Sequence, residues 1–322
     1  MHAVKAASLA FPGLRTADLY RALKHKDIRI DGKKISSDIA VREGQTVEVW
    51  LPDSLFDGEG DKDVRPIAPK DPDYKTVAET NGLLIVNKRQ GLPVHSGRGT
   101  GGDNLIDIIR KNTGNPKMEL VHRIDMNTGG LVMLAKDKEN LEDAIKLFRD
   151  DLLIKRYRCL VMGVPSEGEA VICEDDAIMK EVTAYLEKTK SGNVYIHDTE
   201  HPGDLIIKTR YRVLRTFRGR GPGGSDFSEI ECELVTGRTH QIRAQFAHMG
   251  YPIIGDGNYG RNKDNVFFRN REGGKVRYQQ LFATTLLLRN IPSDNLHHVL
   301  SGRSFTIEPR YEVVTENLKN GR

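Results

Sequence analysis

The sequence predicts an α+β protein built on a central, largely antiparallel mixed sheet with flanking helices, preceded by a small α+β domain. Three observations predict it. Short strand-like runs outnumber amphipathic helical stretches, and they do not alternate with helices as βαβ units would. The chain has 322 residues, enough for about two domains. Residues 53–75 break the pattern, with seven acidic against four basic residues and Pro66, Pro69 and Pro72 among them, as in an extended linker. The expected layout is therefore a first domain over 1–52, a linker over 53–75 and a larger domain over 76–322.

In the first domain, Leu19 and Leu23 stand one turn apart on a helix. Ile28-Arg29-Ile30-Asp31-Gly32-Lys33-Lys34-Ile35 alternates around Asp-Gly, a strong hairpin signal, and a further strand covers 46–51. Residues 1–50 carry nine Lys/Arg against six Asp/Glu. The bases cluster as Arg15, Arg21, Lys24, Lys26, Arg29, Lys33 and Lys34. They form either a solvated face or a surface that grips phosphates.

In the larger domain, residues 83–88 read as a buried strand, and Asp103 can cap a helix carrying Leu105, Ile108 and Ile109. Residues 120–135 read as strand, turn, strand, with Asn127-Thr128-Gly129-Gly130 as the turn and Asp125 at a strand end. An amphipathic helix over 138–151 presents Leu141, Ile145 and Phe148. Further strands follow at 155–163, within 182–217 and at 229–235. A helix after Thr236-Gly237-Arg238-Thr239-His240 presents Ile242, Phe246 and Met249 and stops at Gly250.

Composition narrows the function classes. The net charge of +4 is too small to argue for nucleic acid by itself. No apolar run approaches the roughly 20 residues that span a bilayer, and residues 1–10 lack a signal-peptide core. Cys159, Cys173 and Cys232 are odd in number and far apart, so a reducing, cytoplasmic setting is expected, with a monomer as the default. His240 and His248 are eight apart and off one helix face, and no Cys-x-x-Cys is present, so no metal site is expected. Gly97-Arg98-Gly99-Thr100-Gly101-Gly102 has neither the dinucleotide nor the P-loop register, and no Gly-x-Ser-x-Gly elbow exists.

What remains is Asp125 and its company. Asp125 is either an active-site carboxylate or a turn aspartate paired with Arg123. Tyr157, inside Lys155-Arg156-Tyr157-Arg158, is either a half-buried strand residue or a stacking platform in a nucleic-acid groove. Arg243 by itself reads as a solvated helix arginine.

Four blocks resolve these alternatives by resemblance. His122-Arg123-Ile124-Asp125-x-x-Thr128-x-Gly130-Leu131 resembles the signature of the RluA-type pseudouridine synthases. The stretch from Leu84 through Lys88 to His95, the Lys155-x-Tyr157 strand, and Thr236-Gly237-Arg238-Thr239-His240-Gln241-Ile242-Arg243 followed by Gly250-x-Pro252-Ile253-Ile254-Gly255-Asp256 resemble that family's other blocks, in order. Ile124, Gly129, Arg89 and Ala244-Gln245 depart from the usual pattern. The 19–33 stretch resembles the small RNA-binding domain named after ribosomal protein S-four.

The resemblance implies the pseudouridine synthase fold and isomerisation of uridine in RNA. Ribosomal RNA of the large subunit is the first expectation and transfer RNA the alternative. It implies catalysis by Asp125, Tyr157 and Arg243, with Arg243 rather than Arg123 as the partner of Asp125. RNA contact falls to His122, Arg123, Arg238, Thr239 and Gln241. No cofactor is expected, since the reaction involves neither redox nor phosphoryl transfer. The rivals are a non-catalytic ribosome-assembly factor and a hydrolase of the nucleoside bond.

Overall fold

The computed structural model describes residues 1–11, 16–51, 72–96, 103–189 and 194–313. Arg15, most of the 53–75 stretch and the glycine-rich 99–102 stretch lie outside the described residues. Contacts divide the chain into two units, Met1–Lys70 and Asp71–Arg322.

In the first unit, α1 (Ala3–Ala10) and α2 (Thr16–His25) precede β1 (Ile28–Ile30), β2 (Lys33–Lys34) and β3 (Val47–Val49). The strands pair antiparallel in the order β2-β1-β3. Asp31 and Gly32 both take positive φ, 50° and 74°, as a two-residue hairpin turn requires. Ala3, Ala7, Leu19 and Leu23 close over Ile28 and Ile30. The small-residue helix α1 carries no capping signal and was not anticipated.

The second unit runs β4 (Tyr74–Glu79), β5 (Leu83–Lys88), α3 (Leu105–Thr113), β6 (Glu119–Leu120), β7 (Gly129–Ala135), α4 (Lys138–Arg149) and β8 (Leu153–Met162). It continues through β9 (Glu169–Ile172), β10 (Ile178–Lys188), β11 (Val194–His197), β12 (Leu205–Phe217), β13 (Phe227–Leu234), α5 (Gln241–His248), β14 (Leu281–Leu288) and β15 (Ser304–Thr306). Among the described residues, all twelve strands join one sheet, with the path β11-β10-β12-β13-β8-β14-β7-β5-β4. The β7–β14 pair is parallel and the others are antiparallel, so the sheet is mixed and the α+β expectation holds.

The unbroken apolar runs of β5 and β7 are explained by burial on both faces. Leu84, Val86, Val132 and Leu134 pack with α3, α5 and Tyr157 on one side. Leu83, Ile85, Leu131 and Met133 pack with α4 on the other.

Three local expectations change. Asn104, not Asp103, caps α3, its side chain accepting the Asp107 N–H. On α4 the buried residues are Asp143, Ala144 and Leu147, with Leu141 and Phe148 partly covered, while Ile145 is exposed. The apolar face is thus rotated from the expected one, because small Ala144 sits against the sheet. Gly129 and Gly130 belong to β7 and not to the turn. Asp125 therefore stands in the loop before β7, four residues from the nearest strand residue.

Glycine at these two positions is a matter of space. Gly129 pairs with Phe282 and Gly130 with Ala283 across the parallel ladder. A Cβ on Gly129 would stand 2.6 Å from the Phe282 ring. One on Gly130, at φ +112°, would stand 2.2 Å from the Ala283 carbonyl oxygen. Ala283 in turn pairs with Tyr157 of β8. The close approach of β7 to β14 thus carries the Asp125 loop to the strand that bears Tyr157.

Candidate active site

Residues 125–128 form a tight turn in which the Thr128 N–H donates to the Asp125 carbonyl at 3.1 Å. Its polar groups are held from three sides. The Lys88 ammonium, 1% exposed, donates to the carbonyls of Met126, Arg89 and Leu92. The Gly91 N–H also reaches the Met126 carbonyl, at 2.9 Å. The Gln90 amide donates to the Asn127 carbonyl at 3.0 Å, and Gln279 donates to the Thr128 hydroxyl at 2.9 Å. Each carbonyl so bonded is withheld from water without penalty. Burial, then the nearby Arg89 charge, pushes the Lys88 pKa down to about 7, with Asp125 acting the other way.

Arg243 comes from the first turn of α5, and the structure corrects the solvated reading of it. Burial takes in Gln241 through Phe246, so this helix has no polar face at that level. The guanidinium bridges two carboxylates. Its Nη1 donates to Asp125 Oδ2 at 2.8 Å, while Nε and Nη2 clasp Asp256 at 2.7 and 3.0 Å. Asp256 is fully buried and accepts also from the N–H groups of Asn258 and Tyr259. Burial works against the Arg243 charge. The hydrogen bonds and charge of Asp256, then those of Asp125, outweigh it and raise the pKa. For Asp256, burial is likewise outweighed by Arg243, and the carboxyl stays below its usual range.

Asp125, Tyr157 and Arg243 line one cleft of about 660 Å³, with His122, Arg123, Lys155, Arg238, Thr239 and His240 around them. Asp125 is the partly open carboxylate of the pair, its side chain 29% exposed against 0% for Asp256. Tyr157 is buried, and burial followed by the Asp125 charge raises its phenol pKa. The site sets a carboxylate beside a flat aromatic surface, under basic residues that favour an anionic backbone.

The other sequence-derived residues separate into groups. Arg123, Arg238 and Thr239 are exposed at the cleft, open to a ligand. His122 and Gln241 line it but are engaged internally. His122 Nε2 accepts the Met133 N–H at 3.1 Å, and its ring lies 5.3 Å from that of Phe148. Burial, then the Lys155 charge, pushes its pKa to about 3. The Gln241 amide donates to the Lys208 carbonyl and the Thr209 hydroxyl, and accepts from the Arg238 N–H and the Thr236 hydroxyl. It orders the 236–241 turn. In the first unit Arg21, Lys24, Lys26 and Lys33 are exposed, and Arg29 stacks over Trp50 at 4.7 Å.

Sequence reasoning assigned no role to Asp256, Lys88 or His240. Asp256 and Lys88 fall inside quoted blocks, which was the available signal. His240 takes positive φ, 53°, ahead of α5 and places Nε2 3.9 Å from Asp125 Oδ2, with Nδ1 2.9 Å from the Tyr259 hydroxyl. The expectation of no metal site overlooked the spacing His197-x-x-x-His201, which with Asp204 makes a group able to hold an ion.

No helix among the described residues is long and apolar enough to cross a membrane. The family model described as RNA pseudouridylate synthase matches residues 82–248, just over half of the chain. The chain is 29% identical over 258 residues to ribosomal large subunit pseudouridine synthase C of Vibrio cholerae, covering 77% of this chain and 73% of that protein. It is 28% identical over 303 residues to the protein of that name from Buchnera aphidicola subsp. Schizaphis graminum, covering 94% and 87%. Among solved structures, human RNA pseudouridylate synthase domain containing 1 superposes with a TM-score of 0.53 at 20% identity, covering 76% of this chain and 91% of that one. Human domain containing 4 superposes with a TM-score of 0.51 at 21% identity, over 73% and 88%. With three of the four sequence blocks lining one cleft, the fourth holding its 125–128 turn, and a family model spanning most of the sheet that builds it, this chain belongs to the RNA pseudouridylate synthase family, isomerases that act on RNA.

Proposed function

We propose that this enzyme converts uridine to pseudouridine in large-subunit ribosomal RNA, with Asp125 as the reacting carboxylate. The reaction breaks the bond from uracil N1 to the sugar, turns the base and rejoins it through C5. N1 gains a proton and C5 loses one. A base inside folded RNA must first leave its stack, at a cost of a few kcal/mol. Arg123, exposed at the cleft, fills the vacated place or holds the flanking phosphate.

The observation that carries the reading is the Arg243 bridge. A guanidinium fixed by buried Asp256 presents a further donor to Asp125, 2.8 Å away. This holds the carboxylate aimed beside a positive charge, with no reorganisation needed at the moment of reaction. Tyr157 packs on the extruded uracil. Its phenol is neutral at physiological pH, since burial and the Asp125 charge raise its pKa. It can take the C5 proton only by handing its own to water in the same step, while N1 draws its proton from solvent. Arg238 and Thr239 reach the RNA backbone from the exposed turn ahead of α5.

Residues 1–52 act as an S-four-like RNA grip ahead of the 53–75 linker and the catalytic domain over 76–322, the linker's expected end being shortened because Tyr74 and Lys75 already pair in β4. Arg15, Arg21, Lys24, Lys26, Arg29 and Lys33 supply its phosphate contacts. The ribosomal substrate rests on the relatives in Vibrio and Buchnera, which are named for the large ribosomal subunit. Pseudouridine mapping of total RNA from cells with and without the protein tests it. A site lost from large-subunit RNA is the expected result, and a site lost only from transfer RNA overturns the ribosomal assignment.

A further inference from the structure

Outside the cleft, the turn between β11 and β12 gathers three groups of metal-ligand type. His197 ends β11, His201 follows four residues later, and Asp204 stands just before β12. One potential ligand atom from each lies within 4.8 Å of the others. The two imidazole rings meet edge to face with centroids 4.3 Å apart. The Asp204 side chain is 2% exposed and that of His201 is 54% exposed, so the carboxylate is an inward wall and the imidazole an outward one. Asp204 Oδ2 accepts the His201 N–H at 3.1 Å and lies 3.7 Å from His201 Nδ1. A second carboxylate, Glu187 of β10, stands 3.2 Å from His197 Nε2. Metal-ligating histidines ordinarily have such a partner, which fixes the ring and raises its basicity.

We propose that His197, His201 and Asp204 bind one first-row transition-metal ion of the zinc class, with Glu187 orienting His197. Two imidazoles and a carboxylate suit zinc, nickel or cobalt rather than magnesium or calcium, which take oxygen sets. Ligand bonds of about 2.0–2.2 Å in a tetrahedral site set neighbouring ligand atoms roughly 3.4 Å apart. Ligand atoms that stand as far as 4.8 Å apart must therefore draw together, and exposed His201 is free to turn its ring towards the ion. Water completes the coordination.

The site has a structural consequence. Asp198, in the same turn, reaches His248 at the end of α5 at 2.8 Å. Val194 of β11 packs with Ala244 of α5. None of the three ligands lines the cleft. An ion there braces the β11–β12 connection, which reaches the helix that carries Arg243, and it takes no part in the chemistry.

The test is isothermal titration of zinc chloride into the untagged, chelator-stripped full chain at pH 7.5, with cobalt(II) absorption alongside. One saturable equivalent is expected, with a cobalt spectrum free of thiolate bands and a higher Tm in zinc. Binding should weaken in acid, where protons compete with the ion for its ligands. His197→Ala and the milder His201→Gln should each weaken zinc binding by at least about tenfold, as loss of even an outer partner can. Circular dichroism of the stripped variants checks their fold, and His201→Gln decides if His197→Ala unfolds. Absence of a saturable equivalent, a thiolate band, or unchanged affinity in folded His201→Gln overturns the proposal.

Discussion

Asp125 and Arg243 lie 118 residues apart in the chain and meet at 2.8 Å in the cleft. The contact depends on a third residue, Asp256, which holds the other side of the guanidinium in a bidentate clasp. One cation between two carboxylates would be poorly placed if both were open to water. Here one is buried and anchoring, and the other faces the cleft. The arrangement is asymmetric, and the asymmetry assigns the roles.

Removing the anchor should therefore damage fold and activity together. Asp256→Ala leaves Arg243 buried with one partner, and breaking a buried pair in this way costs about 3–5 kcal/mol. Urea unfolding should show a loss of that order, and single-turnover assays a matching loss of pseudouridine formation. Asp256→Asn, which keeps the shape and one acceptor, should lose less stability. Equal stability of Asp256→Ala and the parent would refute the anchoring role.

The glycine pair makes a second, purely steric prediction. Gly130→Ala puts a Cβ against the Ala283 carbonyl at a φ unsuited to side chains, and should cost at least about 2 kcal/mol. Gly129→Ser clashes instead with the Phe282 ring. Shortening that ring should relieve it, so Gly129→Ser with Phe282→Ala should be more stable than the two single losses added together. Simple additivity in this cycle would show that the ring is not the obstacle.

These positions show what was legible in the sequence. The apolar runs of β5 and β7 announced buried strands, and both faces are indeed covered. The Asp-Gly hairpin fell where expected. The face of α4 was misplaced because Ile145 satisfies helical spacing without touching the sheet, whereas Ala144 does so by being small. Arg243 looked solvated because amphipathic patterning sends charge outward. The carboxylates that make its burial tolerable lie 13 and 118 residues away, which no local pattern can register. The four-block resemblance supplied that pairing, but not Asp256, whose part appears only once the fork is seen to be shared.

His122 makes stability depend on pH. Its folded pKa of about 3 lies below the ordinary 6.5. Between those values the unfolded chain takes up a proton that the folded ring refuses, so stability falls as pH drops from about 6.5 towards 3. His122→Gln offers the Met133 N–H an acceptor without a titrating ring. Its Tm should therefore drop less between pH 7 and pH 4.5 than that of the parent. Parallel losses in the two proteins would remove His122 from the acid sensitivity.

The basic first unit should act through phosphate contacts. Deleting residues 1–52 should weaken binding of the RNA substrate most at low salt and flatten the dependence of log affinity on log salt. The remaining chain should keep its melting transition. An unchanged salt slope would separate these residues from RNA binding.

Under the proposed function Asp125 carries the reaction, while RNA recognition rests on the other cleft residues and on residues 1–52. The most direct measurement is single-turnover conversion of a bound RNA substrate by Asp125→Asn, with affinity measured on the same preparation. The expected result is RNA binding within a few-fold of the parent, with no pseudouridine formed. Conversion at a substantial fraction of the parent rate would contradict the assignment.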